Sequence, residues 1–179
     1  MDYAELCTSK IDTEKLISQV GAPDCGAISV FIGTTRNHFE GKTVLKLSYE
    51  AYGPMAEREL VRMCADVRTK WNVKNVAVVH RLGEVPVGEA SIVIVVSSAH
   101  REESQAAVKW IIDQVKSRLP VWKKEIYDDG LSEWKENTEC FWKSALKSIP
   151  RFLLFTVLVI VVITIYPSFS ASIISVASM

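Results

Sequence analysis

Residues 90–118 read ASIVIVVSSAHREESQAAVKWIIDQVKSR. Ala90 to Ser98 is apolar and β-branched almost throughout, the pattern of a strand buried on both faces. From about Arg101 the period changes. Ala107, Ile111 and Val115 recur at helical spacing as far as Arg118, and Pro120 stops the run. Upstream, Asn75 to Leu82 is a strand and Gly83 to Gly88 a turn. Downstream, Val121 to Tyr127 is a short strand, Asp128-Asp129-Gly130 a turn, and Ser132 to Trp142 a last extended segment. Asp12-Thr-Glu-Lys opens a short amphipathic helix through Val20. Gly26 to Thr35 reads as a strand with both faces buried. Val44 to Tyr52 alternates, with Leu45, Leu47, Tyr49 and Ala51 on one face and Lys46, Ser48 and Glu50 on the other. Gly53-Pro54 then starts a helix with Ala56, Leu60, Cys64, Val67 and Trp71 at helical spacing. The order is at most β, α, β, β, α, β, β, α, β, β. Strands and helices mix without strict alternation, so the class is α+β with a mixed sheet rather than doubly wound α/β.

The chain has 179 residues, with 21 basic and 21 acidic. That balance is uneven along its length. From Arg151 to Met179 the only charged residue is Arg151, and 20 of the last 28 residues are apolar. Composition sets a seam near residue 150, and the expected organisation is one domain over residues 1–143 with an apolar C-terminal tail over residues 144–179. The domain has no basic surplus, which argues against a nucleic-acid partner. It is long enough for one sizeable core.

Cys7, Cys25, Cys64 and Cys140 form no CxxC, and His38, His80 and His100 form no metal-ligand spacing, so no metal is expected. The N-terminal MDYAELCTSKID is no signal peptide, and a reducing cytosol suits these cysteines. The tail contains an apolar run from Phe152 to Tyr166. At about 1.5 Å per residue its 15 residues span roughly 22 Å, short of the ~30 Å hydrocarbon core. Continuing past Pro167 would supply the missing length, and Lys143, Lys147 and Arg151 flank the run. A C-terminal membrane anchor, a variant terminal exon and a buried element all fit this composition.

Three segments carry candidate chemistry. SSAHREES places His100 and Arg101 at a strand exit and helix entry, where backbone N–H groups and the helix dipole favour an anion. A helix start with a solvated arginine has the same sequence. VKSRLPVWKKE gathers Lys116, Arg118, Lys123 and Lys124. Lys116 in a last helical turn is favoured by the dipole alone. Beyond Pro120 the alternation sets Lys123 and Glu125 on one face, and Trp122, Lys124 and Ile126 on the other. A lysine among cations has a depressed pKa and serves as base or nucleophile, whereas a charged edge strand simply avoids aggregation. GTTRNHFEG puts Arg36 and His38 in a loop leaving a strand, a common place for function. No GxGxxG, P-loop, GxSxG or paired-carboxylate motif is present, so the chemistry is anion-directed and metal-free.

The segments GTTRNHFEGK, LSYEAYGPMAE, VVHRLGEVPVGEASIVIVVSSAHREES, LPVWKKEIY and WKENTECFW occur in this order between Ile11 and Trp142. Together they resemble the catalytic (large) subunit family of molybdopterin synthases, especially its eukaryotic form. The resemblance implies an α/β-hammerhead-like domain with extra β structure. It implies transfer of sulfur from the C-terminal thiocarboxylate of a small ubiquitin-like subunit to cyclic pyranopterin monophosphate, which forms the dithiolene of molybdopterin. No cofactor is implied beyond that sulfur donor. The implied assembly is a heterotetramer, with two large subunits as a central dimer and a small subunit at each end.

The family's substrate-contacting residues fall on Arg36, His100, Arg101, Lys116, Lys123, Lys124 and Glu125, with Lys116 and Lys123 catalytic. The expectation is that Arg36, His100 and Arg101 hold the phosphate and pterin. Lys116 lies nearest the thiocarboxylate, and Lys123 with Glu125 completes the acid–base work. A noncatalytic adaptor for a ubiquitin-like protein, at a membrane if the tail is an anchor, is the alternative. The tail departs from the family, whose chains end soon after the ECFW segment.

Overall fold

The computed structural model describes residues 2–135. The boundary expected at residue 143 and the whole apolar tail lie outside them. The elements are β1 (Asp2–Cys7), α1 (Thr13–Val20), β2 (Ala27–Thr34), β3 (His38–Phe39), β4 (Lys42–Ala51), α2 (Gly53–Arg68), β5 (Val73–Arg81), β6 (Gly83–Pro86), β7 (Ala90–Ser98), α3 (Arg101–Arg118), β8 (Val121–Tyr127) and β9 (Ser132–Lys135). The class is α+β, as expected. Segment 136–142 of the last extended stretch lies beyond the described residues.

One sheet has the order β1-β5-β7-β2 and a second runs β3-β4-β8-β9, with β6 added beside β4. Among the described residues only β1 and β5 pair in parallel. β7 is central in the first sheet and buried along nearly its whole length, as its apolar run predicts. Alternate residues of the central strands feed two cores. Val76, Val78, Ile92, Ile94 and Val96 meet Leu60, Met63 and Val67 of α2 and Ile111 and Val115 of α3. Ala77, Val79, Val93 and Val95 meet Leu16 and Val20 of α1. Asp12 caps α1 by accepting from the Lys15 N–H at 3.0 Å. Pro54 sits in the first turn of α2, where its missing N–H costs nothing.

Three sequence expectations are corrected. Gly26–Thr35 is not buried on both faces: β2 is an edge strand, and Ile28, Val30 and Ile32 are exposed at 42%, 38% and 45%. Helix α3 covers one side of β2, while the short α1 mostly covers β5 and β7 on the other. Gly83–Gly88 is not only a turn, because Gly83–Pro86 pairs with Tyr49–Lys46 as β6. Its partner is more than thirty residues upstream, outside any local pattern. Leu45 does not share the inward face of β4. A bulge between Val44 and Lys46 turns it to solvent and restores the alternation afterwards.

Arg118 ties the two long helices together. Its guanidinium contacts the Glu59 carboxylate and lies 2.9 Å from Asp66 Oδ2. Glu59 is 7% exposed, so its charge needs this partner. Arg118→Ala is expected to cost about 2 kcal/mol, read as a lower urea midpoint at unchanged slope. A midpoint equal to that of the unaltered chain would show the pair to be ornamental.

Candidate active site

A cavity of about 740 Å³ opens where the last turn of α3 meets the ends of β2 and β7 and the inward face of β4 and β8. Gly33 permits the close approach of β2 and β7 there. A Cβ on Gly33 would stand 2.7 Å from Ile92 Cγ2. Lys116, from the end of α3, and Lys123, from β8, both line the cavity, and Lys135 of β9 joins them. The two-residue loop Glu40–Gly41, with φ of 49° and 79°, joins β3 to β4 and brings Glu40 to the rim.

Lys123 is anchored from below. Its Nζ lies 3.5 Å from Glu125 Oε1, and the Tyr127 hydroxyl donates to Glu125 Oε2 at 2.8 Å. Lys123, Glu125 and Tyr127 share one face of β8, as the alternation requires, and Glu125 is 3% exposed. Burial, with the Glu125 hydrogen bond, pushes the Tyr127 phenol up, so it stays a donor. Glu125 therefore supports Lys123 without itself lining the cavity.

Lys124 takes the opposite face. It pairs across the strands with Trp134, and its Nζ stands 5.7 Å from that ring. Arg118, in the same basic segment, is engaged with Glu59 and Asp66. Of VKSRLPVWKKE, then, Lys116 and Lys123 reach the cavity, while Arg118 and Lys124 do not.

Arg36 is exposed and does not line the cavity; it lies two residues beyond the lining residue Thr34, in a loop fixed on both sides. Thr35 Oγ1 donates to the Val85 carbonyl at 3.2 Å, and Asn37 accepts from the Val44 N–H at 2.9 Å. His38, on β3, is exposed with its Nδ1 2.8 Å from Asn37 Oδ1.

His100 and Arg101 are elsewhere. His100 is the N-cap of α3 and Arg101 its first residue. Fifteen helical steps separate Arg101 from Lys116, about 22 Å at 1.5 Å per residue. The hydroxyls of Ser29 and Ser104 lie 2.8 Å apart and hold the start of α3 against the first half of β2, away from Gly33. Within one chain, the expected cluster is thus split: Lys116 and Lys123 line the cavity at one end of α3, Arg36 stands off its lining, and His100 and Arg101 lie at the other end of the helix.

The family model described as "MoaE protein" matches residues 6–118. The chain belongs to the MoaE protein family. It is 55% identical over 143 residues to a Homo sapiens protein named molybdopterin synthase catalytic subunit, a match that covers 80% of this chain and 76% of that one. The crystal structure of molybdopterin synthase from Staphylococcus aureus superposes with a TM-score of 0.71 at 34% identity, covering 76% of this chain and 98% of that one. A protein–protein complex of subunits 1 and 2 of molybdopterin-converting factor from Helicobacter pylori matches at a TM-score of 0.63 and 19% identity, over 76% of this chain and 92% of that one, a likeness of fold alone.

On this MoaE fold, the cavity also contains residues that the motifs do not single out. His80 of β5 lines it although only 6% exposed, and burial holds the imidazole neutral, its pKa pulled down to about 4. Tyr49, its edge-on neighbour at 5.0 Å, is pushed up by burial. In the sequence His80 closes the apolar run VAVV within VVHRLGEVPVGE, a segment that carries the family resemblance but gives this histidine no role. Among the described residues no group of three or more His, Cys, Asp or Glu is placed to hold a metal, and no helix is long and apolar enough to cross a membrane. Burial pushes the Cys64 thiol up to about 12, which leaves it unreactive.

Proposed function

We propose that the cavity bearing Lys116 and Lys123 is where sulfur passes from the C-terminal thiocarboxylate of a small ubiquitin-like subunit to cyclic pyranopterin monophosphate. The family and the 55% identity to a molybdopterin synthase catalytic subunit give the chain a role in molybdenum-cofactor biosynthesis as a sulfur-transferring enzyme. The adaptor alternative is not favoured. The residue assignment rests on one observation: three ammonium groups, Lys116, Lys123 and Lys135, face a single cavity. A phosphate and a thiocarboxylate are both anions, and bringing them together needs such a concentration of donors. Lys116 neutralises charge developing at the reacting carbon or hands over a proton, and Lys123, held by Glu125, completes the acid–base work. The sulfur donor is the small subunit itself, so the chain needs no cofactor of its own.

His100 and Arg101 enter this scheme from a second copy of the chain. β2 supports that arrangement. It is an edge strand of eight residues, AISVFIGT, with no charge and with Ile28, Val30 and Ile32 exposed. Such an edge invites pairing with another chain. Its Ala27 end adjoins Ala99, where the Gly26 N–H donates to the Ala99 carbonyl at 3.2 Å, next to His100. Its Thr34 end leads to Arg36. Two β2 strands lying antiparallel about a two-fold axis bring the His100–Arg101 corner of one copy to the Arg36 side of the other. The work belongs in the cytosol, where the thiols of Cys7, Cys25 and Cys64 stay reduced.

The test is Lys116→Ala, assayed for dithiolene formation with intact thiocarboxylated small subunit. Turnover is expected to fall by about 10²- to 10⁴-fold. Near-normal turnover removes Lys116 from the chemistry.

A further inference from the structure

We propose that His80 is a recognition residue of this cavity, its Nε2 accepting a hydrogen bond from a ring N–H of a reduced pterin. This rests on the reading of the cavity as the pterin site.

The ring is fixed before any ligand arrives. Its Nδ1 lies 2.9 Å from the Arg81 carbonyl oxygen, which can only accept, so Nδ1 carries the hydrogen. In a neutral imidazole the other nitrogen is then a lone-pair acceptor. Tyr49 holds the ring edge-on, and no other hydrogen bond engages His80 among the described residues. His80, 6% exposed, therefore keeps its Nε2 without a hydrogen-bond partner among the described residues, and the residue lines the cavity.

The chemistry of the walls gives that atom its use. The ammonium groups of Lys116, Lys123 and Lys135 donate and never accept. The Ser91 hydroxyl donates its one proton to the Gly33 carbonyl at 3.1 Å. The carboxylates on the lining, Glu40 and Glu133, accept but carry negative charge, and Glu133 is tied to Lys135 at 2.9 Å. A pterin carries ring N–H donors that need an acceptor once water is excluded. A carboxylate in that place would repel the substrate's phosphate. A neutral imidazole accepts without adding negative charge.

The experiment compares His80→Phe and His80→Gln in the complete enzyme with its small subunit. Gln sets an amide oxygen near the place of Nε2, whereas Phe keeps the ring without an acceptor. KM for the pterin substrate is expected to rise about tenfold or more in His80→Phe and to stay within about threefold in His80→Gln, with kcat changed little in either. An unchanged KM in a folded His80→Phe enzyme overturns the proposal, as does an equal rise in both variants. Should His80→Phe not fold, the unaltered enzyme decides. The imidazole nitrogen-15 signal of its His80 Nε2 is expected to move upfield when substrate is added, and an unmoved signal overturns the proposal. An unaltered enzyme that does not turn over the pterin at all would refute the pterin-site reading itself, a result distinct from these.

Discussion

Chains carrying Lys116→Ala and chains carrying Arg101→Ala, each nearly inactive alone, are expected to recover about a quarter of full activity when co-expressed. The expectation follows from the length of α3. Lys116 and Arg101 are about 22 Å apart along one rigid helix, too far to hold a single small substrate together. If the phosphate-binding corner comes from the partner copy, a mixed dimer has one site with both changes and one site with neither. Random assembly makes about half of the dimers mixed, with one of two sites working, which gives that quarter. If each chain instead builds its whole site alone, every site carries a change and the mixture stays as inactive as its components. Substrate affinity separates the two roles further. Arg101→Ala is expected to act mainly on KM, through the phosphate, and Lys116→Ala mainly on kcat.

The second large effect concerns acid stability. The unaltered domain is expected to lose about 2 kcal/mol between pH 7 and pH 5, and about 3 kcal/mol by pH 4, that a His80→Gln domain keeps. His80 titrates near pH 4 when folded, because burial disfavours the imidazolium, against an ordinary value of 6.5. Between those values the unfolded chain binds a proton that the folded chain refuses. Stability therefore falls as pH drops through that window, and the loss levels off below the folded value. The carboxyls of Asp24 and Glu133, which Lys74 and Lys135 hold below the usual range, also weaken the fold in acid, but they are common to both proteins and cancel in the difference. Urea midpoints at pH 7, 6 and 5 measure it. Parallel pH profiles for the two proteins would mean that the buried ring is protonated as easily as a free one.

Much of the fold is legible from local pattern. Ala90–Ser98 and Arg101–Arg118 appear with the bounds that their periodicity marks, and Pro120 ends the helix as its missing N–H requires. The alternation of β8 correctly separates Lys123 and Glu125 from Lys124. The pattern fails where a partner far along the chain decides. β6 exists because β4 offers it an edge, and Leu45 turns outward because the bulge against β8 requires it. The runs of β2 and β7 are similarly rich in apolar residues, yet one is an edge and the other central. Composition reports how apolar a strand is, and position in the sheet determines how much of it is covered.

The sequence by itself determined the α+β class, the principal helices and strands, and the family, because short-range periodicity and ordered motifs survive without any knowledge of contacts. It also supplied the cations. Only the tertiary structure decided which of them meet. A rigid helix holds Arg101 and Lys116 at opposite ends, a pleat turns Lys124 away from Lys123, and an ion pair commits Arg118 to Glu59 and Asp66. His80 gained its neutral charge state and its single open nitrogen from burial among residues distant in the chain. A side chain's charge and direction depend on the dielectric and the partners around it, and folding creates both.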